Sequence, residues 1–207
     1  MQNKLCALSF DDGPNTTITV QMLDVLKTFA VPASFFLIGN LITDKTLPII
    51  KRAVEQGCDI ENHSFTHSDM KSMEKATIRD EFEKTSDLIE KHAGSRPIFF
   101  RPPYISVSDT MYEAIDVPFI CGLGVEDWVA TVSADERARR ILSQISDGTI
   151  LLLHDADWNA PTVEAVKQVV PVLKEQGYEF VTVPELFRRS GADKTRKGKI
   201  WSNVYGN

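Results

Sequence analysis

Short apolar runs alternate with longer amphipathic segments along most of the chain. Seven runs of four to seven residues predict strands, namely Lys4–Phe10, Ala33–Ile38, Cys58–Glu61, Ile98–Arg101, Pro118–Cys121, Thr149–His154 and Tyr178–Val183. Several of these runs are continuously hydrophobic, which is typical of parallel strands that are buried on both faces. The alternation therefore predicts βα units around a parallel sheet, with no linker that divides the chain.

Helical periodicity fills the intervals between the predicted strands. Apolar residues recur at spacings of three and four over Ile18–Phe29 and again over Ile78–Ile89. Ser133–Glu136 has the pattern of a capping box at the start of another helix. In a later helix that stops at Gly177, Pro171 predicts a kink or an early end. Seven strands interleaved with helices favour a barrel-like (β/α) fold.

The pattern changes near the C-terminus. After Phe187 it gives way to a basic, polar segment, 188–199, which is followed by a few apolar residues. We expect one domain over residues 1–187, and a tail over 188–207 that packs on the barrel or frays.

Composition narrows the classes of partner. The 207 residues carry a net charge of −6 without a lysine or arginine cluster, which argues against nucleic acid as a partner. No apolar run reaches the roughly 20 residues that cross a bilayer, and the N-terminus lacks the pattern of a signal peptide. We therefore expect no membrane partner. Three cysteines in strand-like segments favour buried free thiols over a disulfide framework.

Titratable side chains stand at the ends of the predicted strands. They are Asp11, Asp12, His63, His67, Arg101, Glu126, Asp127, His154 and Asp155. In parallel barrels, the loops at the carboxyl ends of the strands share one face, and active sites are built there. We therefore expect these residues to converge although they are far apart in sequence.

Two of these loops contain a candidate metal-ligand set. His63 and His67 have the His-x-x-x-His spacing that allows two imidazoles to share a metal ion, although histidines with purely structural partners would fit equally well. Ser9–Pro14 has the composition of a plain turn, but a turn does not explain the adjacent carboxylates of Asp11 and Asp12. One carboxylate and two imidazoles leave a coordination position open for water, which is typical of catalytic zinc.

Five segments together resemble the motifs of a known family, the polysaccharide deacetylases of carbohydrate esterase family 4, also called the NodB homology domain. The segments are Ser9–Pro14, His63–His67, Arg101–Tyr104, Glu126–Trp128 and Leu152–His154. They occur in the family's order, and the resemblance covers about nine-tenths of the chain. It implies a distorted (β/α)7 barrel that removes acetyl groups from a polysaccharide by hydrolysis.

The resemblance also implies a divalent metal ion and a general base. Asp12, His63 and His67 would hold the metal, with zinc or cobalt favoured and nickel or manganese compatible with the same ligands. Asp11 would take the proton of the attacking water, and Arg101 would pair with Asp11 and fix its orientation.

The remaining motifs imply the other catalytic groups. The backbone N–H of Tyr104 would stabilise the oxyanion, and His154, supported by Asp127, would act as the general acid. Leu152 and Trp128 would line the pocket for the acetyl methyl group. Ordinary core packing explains these two residues nearly as well.

Two departures from the family pattern bear on the substrate. Gly124 occupies a position that is often acidic in the fourth motif, and Ile105 replaces a glycine that often follows the tyrosine of the third. The stretches 105–121 and 122–130 are most similar to the acetyl-xylan esterase branch, which includes modules attached to xylanases. The resemblance therefore implies an acetyl-xylan esterase in a secreted, extracellular protein, with an acetylated polysaccharide as its partner.

Other functions stay open at this point. The same site would serve an N-deacetylase of chitooligosaccharide or peptidoglycan. A catalytically inactive carbohydrate-binding barrel is an alternative of another class, although binding alone does not require a base and an acid. A metal-dependent phosphoesterase is disfavoured because Arg101 is the main basic residue in the motif loops, and phosphoryl oxygens call for more positive charge.

Overall fold

The structure is a computed structural model that describes residues 4–194 and 198–206. Its strands are β1 (Lys4–Asp11), β2 (Ser34–Leu37), β3 (Asp59–Asn62), β4 (Phe119–Ile120), β5 (Leu123–Gly124), β6 (Thr149–His154), β7 (Tyr178–Phe180) and β8 (Ile200–Trp201). Its α-helices are α1 (Ile18–Phe29), α2 (Leu47–Glu55), α3 (Lys75–Ala93), α4 (Asp109–Ala114), α5 (Ala134–Gln144), α6 (Ala160–Glu175) and α7 (Val183–Ser190). Within the described ranges, no helix has both the length and the apolarity needed to cross a membrane.

The central strand β1 has three parallel neighbours. β6 pairs with it over Cys6–Asp11, while β7 pairs over Lys4–Cys6 and β2 over Ser9–Asp11. Because β6 occupies one edge of β1, β7 and β2 share the other edge, one after the other. The sheet therefore splits beside β1, which distorts the barrel.

The barrel closes through short contacts on the side away from β1. Phe100 bridges Asn62 of β3 to Phe119 of β4, and β4 pairs with β8. Beyond β8, Asn203 bridges Thr149 of β6, which completes the circuit. All the strand pairs are parallel, and helices follow most strands. The prediction of a distorted (β/α)7 barrel is confirmed.

One predicted strand is wrong. Within Ile98–Arg101, only Phe100 makes β-bridges. The amides of Ile98 and Phe99 instead donate to Oε2 of Glu61, at 2.9 and 2.8 Å. A side chain therefore replaces the backbone acceptors that would have made this segment a regular strand.

Three further boundaries differ from the sequence prediction. The predicted strand Pro118–Cys121 is reduced to β4, and β5 follows after Gly122, which has a φ of 122°. The strand predicted over Tyr178–Val183 ends at Phe180, because Thr182 caps the next helix through its hydroxyl oxygen. The early end predicted at Pro171 is wrong, since α6 continues to Glu175, held by its buried apolar face.

Both faces of β1 are buried, as the sequence predicts for this kind of strand. Cys6, Leu8 and Phe10 pack in the cluster between the sheet and the helices. Leu5 and Ala7 belong to the cluster that fills the barrel interior. Because side chains alternate along a strand, the next interior positions are Ser9 and Asp11, at the carboxyl end.

A pair of acidic side chains lies inside the barrel near β3. Glu61 is 1% exposed, and Ser34 donates to a carboxylate oxygen of Asp59 at 3.3 Å. Burial raises the pKa of Asp59 to about 6. Burial, and next the charge of Asp59, raise the pKa of Glu61 well above its usual range. The folded protein therefore retains protons that these carboxyls lose in the unfolded chain.

Because of this pair, we expect the free energy of unfolding to fall as the pH rises. The fall begins at about pH 4, where these carboxyls ionise in the unfolded chain, and continues through about pH 6 and above. In Glu61→Gln, the amide oxygen still accepts from Ile98 and Phe99 while the titrating group is removed. We expect this variant to gain on the order of 1–3 kcal/mol at pH 8 relative to the parent, and little at pH 5. Urea unfolding at both pH values measures the difference, with the exposed Glu55→Gln as control. Parallel pH profiles for parent and Glu61→Gln would contradict it.

Candidate active site

The loops after several strands surround one cavity of about 510 Å³. Its lining residues are Asp11, Asp12, His63, His67, Pro102, Tyr104, Ile105, Cys121, Gly122, Gly124, Trp128, Leu152 and His154. Of the other titratable residues that the sequence singled out, Arg101 and Asp127 are fully buried and reach the cavity through their partners. Glu126 does not converge on the cavity, because it is exposed and pairs with Arg140. The structure thus brings all ten candidate site residues together. Cys121 and Gly122 had no sequence signal as lining residues, because they lie in what looks like a core strand.

Asp12, His63 and His67 form a donor set that fits a divalent metal ion. One ligand atom from each residue lies within 4.8 Å of the others. Oδ1 of Asp12 is 3.6 Å from Nε2 of His63 and 3.3 Å from Nε2 of His67. This Oδ1 is buried and has no hydrogen-bond partner among the described residues, as expected for an atom that accepts a metal. A carboxylate and two imidazoles suit zinc and related ions.

The protonation of these groups also suits a metal. Nδ1 of His63 lies 2.7 Å from the carbonyl oxygen of Arg101, which can only accept, so Nδ1 carries the proton and Nε2 is free to coordinate. Burial, and next the neighbouring imidazole of His63, lower the pKa of His67, which favours its neutral form. Although burial opposes it, the neighbouring imidazoles, that of His63 first, lower the pKa of Asp12. The pKa shifts therefore favour a neutral His67 imidazole beside an ionised Asp12 carboxylate.

Side chains fix the loop 63–67, which supplies both imidazoles. Oδ1 of Asn62 accepts from the Ser64 amide at 2.8 Å, and the Ser64 hydroxyl accepts from the His67 amide at 3.0 Å. Glu81 of α3 accepts from two further loop amides, at 3.0 and 2.8 Å. These bonds support Ser64 and His67 at φ values of 66° and 59°, which non-glycine residues rarely adopt. Sequence reasoning missed Asn62 and Glu81, which lie outside the metal-binding pattern.

The buried side chain of Arg101 holds the Asp11 carboxylate. Nη1 of Arg101 donates to Oδ1 of Asp11 at 2.5 Å, and Nη2 donates to the Ser9 hydroxyl at 2.8 Å. The guanidinium also lies over the Phe36 ring, 4.1 Å from its centroid. Oδ2 of Asp11 stands 3.7 Å from Nε2 of His63. One carboxylate oxygen is therefore occupied by the arginine, and the other faces the candidate metal site.

Asp155 supports the loop that carries Asp11 and Asp12. Its amide donates to the Asp11 carbonyl at 3.0 Å, and its carboxylate accepts from the Thr19 hydroxyl. Burial raises the pKa of Asp155 to about 7, and the charges of Asp12 and Asp11 act in the same direction. A Cβ at Gly13 would lie 2.8 Å from this carboxylate, so the loop requires glycine there.

His154 is paired with Asp127 through two hydrogen bonds. Nδ1 of His154 donates to Oδ1 of Asp127 at 2.8 Å, and the His154 amide donates to Oδ2 at 2.7 Å. Burial disfavours the charged imidazole, but the hydrogen bond and charge of Asp127, with Asp11 and Asp12 nearby, raise the pKa of His154 to about 9. His154 is therefore protonated at neutral pH, with Nε2–H available to a ligand in the cavity.

Aromatic and apolar side chains form the cavity wall. The Tyr104 ring lies 4.8 Å from that of His67, and the Trp128 ring lies 5.5 Å from that of His154. Trp128 is 47% exposed, whereas Leu152 is buried. The Ile105 amide donates to the Pro102 carbonyl, and the Ser106 amide donates to the Pro103 carbonyl. The N–H of Tyr104 has no acceptor among the described residues.

The fold and the sequence both match known proteins. Residues 1–117 match the family model named polysaccharide deacetylase. A bifunctional xylanase/deacetylase of Pseudobutyrivibrio xylanivorans is 48% identical over 201 residues, which cover 97% of this chain. The chain spans only 33% of that relative's length.

Two solved structures are similar over nearly the whole chain. The Xyl-CE4 domain of a multidomain xylanase from the hindgut metagenome of Trinervitermes trinervoides has a TM-score of 0.97 and 46% identity, and 100% of each chain is covered. A family 4 acetyl xylan esterase from Clostridium thermocellum, in complex with a cobalt ion, has a TM-score of 0.94 and 40% identity, and covers 97% of this chain and 99% of its own. The chain therefore belongs to the polysaccharide deacetylase family of hydrolases, carbohydrate esterase family 4.

Proposed function

We propose that the chain is a metal-dependent deacetylase that releases acetate from O-acetylated xylan. The observation that carries this proposal is the meeting of three metal-ligand atoms, the Asp11 carboxylate and the protonated His154 in one cavity. Similarity to a xylanase/deacetylase and to an acetyl xylan esterase supports xylan as the polymer. The net charge of −6 is compatible with a neutral sugar polymer.

The donor set fits a divalent ion, with zinc or cobalt favoured. Bound by Asp12, His63 and His67, the ion supplies Lewis acidity, which polarises the acetyl carbonyl and makes water easier to deprotonate. The cobalt ion in the Clostridium thermocellum structure supports this type of site.

Asp11 acts as the general base in this proposal. Because Arg101 occupies Oδ1, Oδ2 is the oxygen that takes the proton of the attacking water. The Tyr104 N–H donates a hydrogen bond to the oxyanion that develops on the acetyl carbonyl oxygen. The φ of 58° at Tyr104 belongs to the turn that presents this N–H.

His154 acts as the general acid. Its Nδ1–H stays bound to Asp127, while the Nε2 proton passes to the sugar oxygen as the acetyl C–O bond breaks. Trp128 and Leu152 provide the apolar wall for the acetyl methyl group.

Acetate release from acetylated xylan tests the function. We expect activity to disappear after chelation and to return when zinc, cobalt, nickel or manganese is restored singly. Activity confined to chitooligosaccharides or peptidoglycan fragments would contradict the O-acetyl assignment while leaving the hydrolytic site intact. Retained glycan binding without acetate release from any of these substrates would favour an inactive carbohydrate-binding barrel.

The similarity to xylanase-linked domains supports a role as a module. We propose that the chain acts beside a xylan-cleaving domain in a secreted protein, where deacetylation exposes the polymer to that domain.

The Asp127–His154 pair predicts the alkaline limit of activity. A general acid must be protonated, so activity holds below the raised pKa of His154, about 9, and falls as pH rises through it. Asp127→Asn removes the charge that raises this pKa. We expect the alkaline limb of kcat to move down by about 1–2 pH units. A full pH profile measures the shift, with the exposed Asp44→Asn as control. An unmoved limb in Asp127→Asn would contradict the acid assignment.

A further inference from the structure

Arg137 of α5 is a buried arginine behind the general-acid pair, and it does not line the cavity. It is 1% exposed. Its Nε donates to the Val132 carbonyl at 2.9 Å, and Nη2 lies 3.3 Å from the Val129 carbonyl. Arg137 therefore ties α5 to the turn that follows Asp127 and Trp128.

The remaining guanidinium nitrogen of Arg137, Nη1, donates hydrogen bonds to two side chains that also contact Asp127. Nη1 donates to Oδ1 of Asn159 at 2.5 Å and to the Thr162 hydroxyl at 2.9 Å. A guanidinium can donate but cannot accept, so both of these oxygens must be acceptors. The Thr162 hydroxyl proton is then free to point at Oδ2 of Asp127, 2.8 Å away. Arg137 thus fixes the direction of the hydrogen bonds made by its neighbours.

The same constraint orients the Asn159 amide. With Oδ1 directed at Arg137, its NH₂ group faces Oδ2 of Asp127 at 3.3 Å and the His154 carbonyl at 2.8 Å. Oδ2 of Asp127 also accepts from the His154 amide. Donors therefore surround Oδ2, and Oδ1 is left for Nδ1 of His154.

Charge supports this arrangement. Asp127 is fully buried, and an isolated buried carboxylate is strongly disfavoured unless donors and opposite charge surround it. Arg137 supplies positive charge on the side of Asp127 away from the imidazole. Its guanidinium also donates the two hydrogen bonds that orient the side chains of Asn159 and Thr162.

We infer that Arg137 is a positioning residue for the proton donor. Through Asn159 and Thr162 it holds the Asp127 carboxylate in the orientation that accepts from Nδ1, so that His154 presents its Nε2–H to the leaving oxygen. The inference rests on the proposed function. When the acetyl C–O bond breaks, the Nε2 proton moves to that oxygen, and the neutral imidazole keeps its Nδ1–H.

Leaving-group dependence tests the inference. A sugar alkoxide needs a proton to leave, whereas the 4-nitrophenolate of 4-nitrophenyl acetate leaves without one. In Arg137→Met, which keeps the volume, we expect kcat on acetylated xylan to fall about 10–100-fold more than kcat on the aryl ester, with KM little changed. Arg137→Lys, which retains charge and a donor, should recover part of the loss. Arg139→Met is the matched control, since Arg139 is exposed on the same helix and pairs with Glu136.

A second variant separates positioning from general damage to the fold. Thr162→Val keeps the shape and removes the hydroxyl that accepts from Arg137 and donates to Asp127, and we expect the same selective loss on the xylan ester. Equal losses on both esters, or no loss on either, in Arg137→Met and Thr162→Val would overturn the inference.

A spectroscopic readout makes the test independent of the substrate. In the metal-free protein, NMR of the histidine rings should show a hydrogen-bonded Nδ1–H for His154 in the parent and in Arg139→Met. The same resonance should exchange rapidly or vanish in Arg137→Met. Its persistence unchanged in Arg137→Met would overturn the inference. A parent that deacetylates no carbohydrate would instead contradict the proposed function, and the NMR result would still decide the positioning role.

Discussion

Asp11→Asn should reduce deacetylation by about 10²–10⁴-fold, since an amide cannot take the proton of the attacking water. The substitution keeps the shape of the side chain, and the amide oxygen can still accept from Nη1 of Arg101. The donor set of Asp12, His63 and His67 is unchanged, so metal affinity should stay close to that of the parent. Acetate release and calorimetric titration of the metal-free protein with zinc measure the two properties separately.

The separation of activity from metal binding is the informative part of this experiment. Asp157→Asn is a suitable control, because Asp157 is an exposed acidic residue on the loop after β6. Undiminished turnover in Asp11→Asn would remove the base assignment. A parallel loss of metal affinity would instead make Asp11 a ligand, which its pairing with Arg101 argues against.

His63→Ala should weaken metal binding first and activity as a consequence. His63 is 2% exposed, and its ring is fixed through Nδ1 by the Arg101 carbonyl, so its loss removes the most rigid imidazole of the set. Removal of a residue that only hydrogen-bonds to a metal ligand costs about 10–100-fold in metal affinity. We expect removal of the ligand itself to cost at least about 100-fold. Excess metal should restore part of the activity, because Asp12 and His67 remain.

Competition against a chelating dye measures this change. His92→Ala is a matched histidine control in the last turn of α3, away from the candidate metal-ligand set. Unaltered affinity in His63→Ala, combined with lost turnover, would contradict a ligand role for His63.

The sequence predicted the convergence of the site because its signals are local. Strand ends are marked by a change from apolar to polar residues, and parallel strands bring those ends to one face. Asp11, His63 and His154 could therefore be placed together without coordinates. The capping oxygen of Ser133, which accepts from the Glu136 amide at 3.2 Å, was also readable from four consecutive residues.

The features that the sequence did not predict depend on distant partners. Ile98–Arg101 looks like a strand, and only the carboxylate of Glu61, far away in sequence, explains why most of it is not paired as one. Arg137 looks like one of several surface arginines on α5, beside Arg139 and Arg140. Its burial results from the packing of α5 against α6, which the local sequence does not indicate.

The unequal pairing of the barrel predicts two different tolerances to substitution. Asp11 ends β1, the strand with three neighbours, and Asp12 follows directly, so alterations to this part of the sheet disturb many hydrogen bonds at once. Apart from Leu152 of β6, the apolar wall comes from the opposite kind of structure: a segment bridged at Phe100 alone, and strands β4 and β5 of two residues each. We therefore expect substitutions on that side to disturb fewer hydrogen bonds than substitutions at the end of β1.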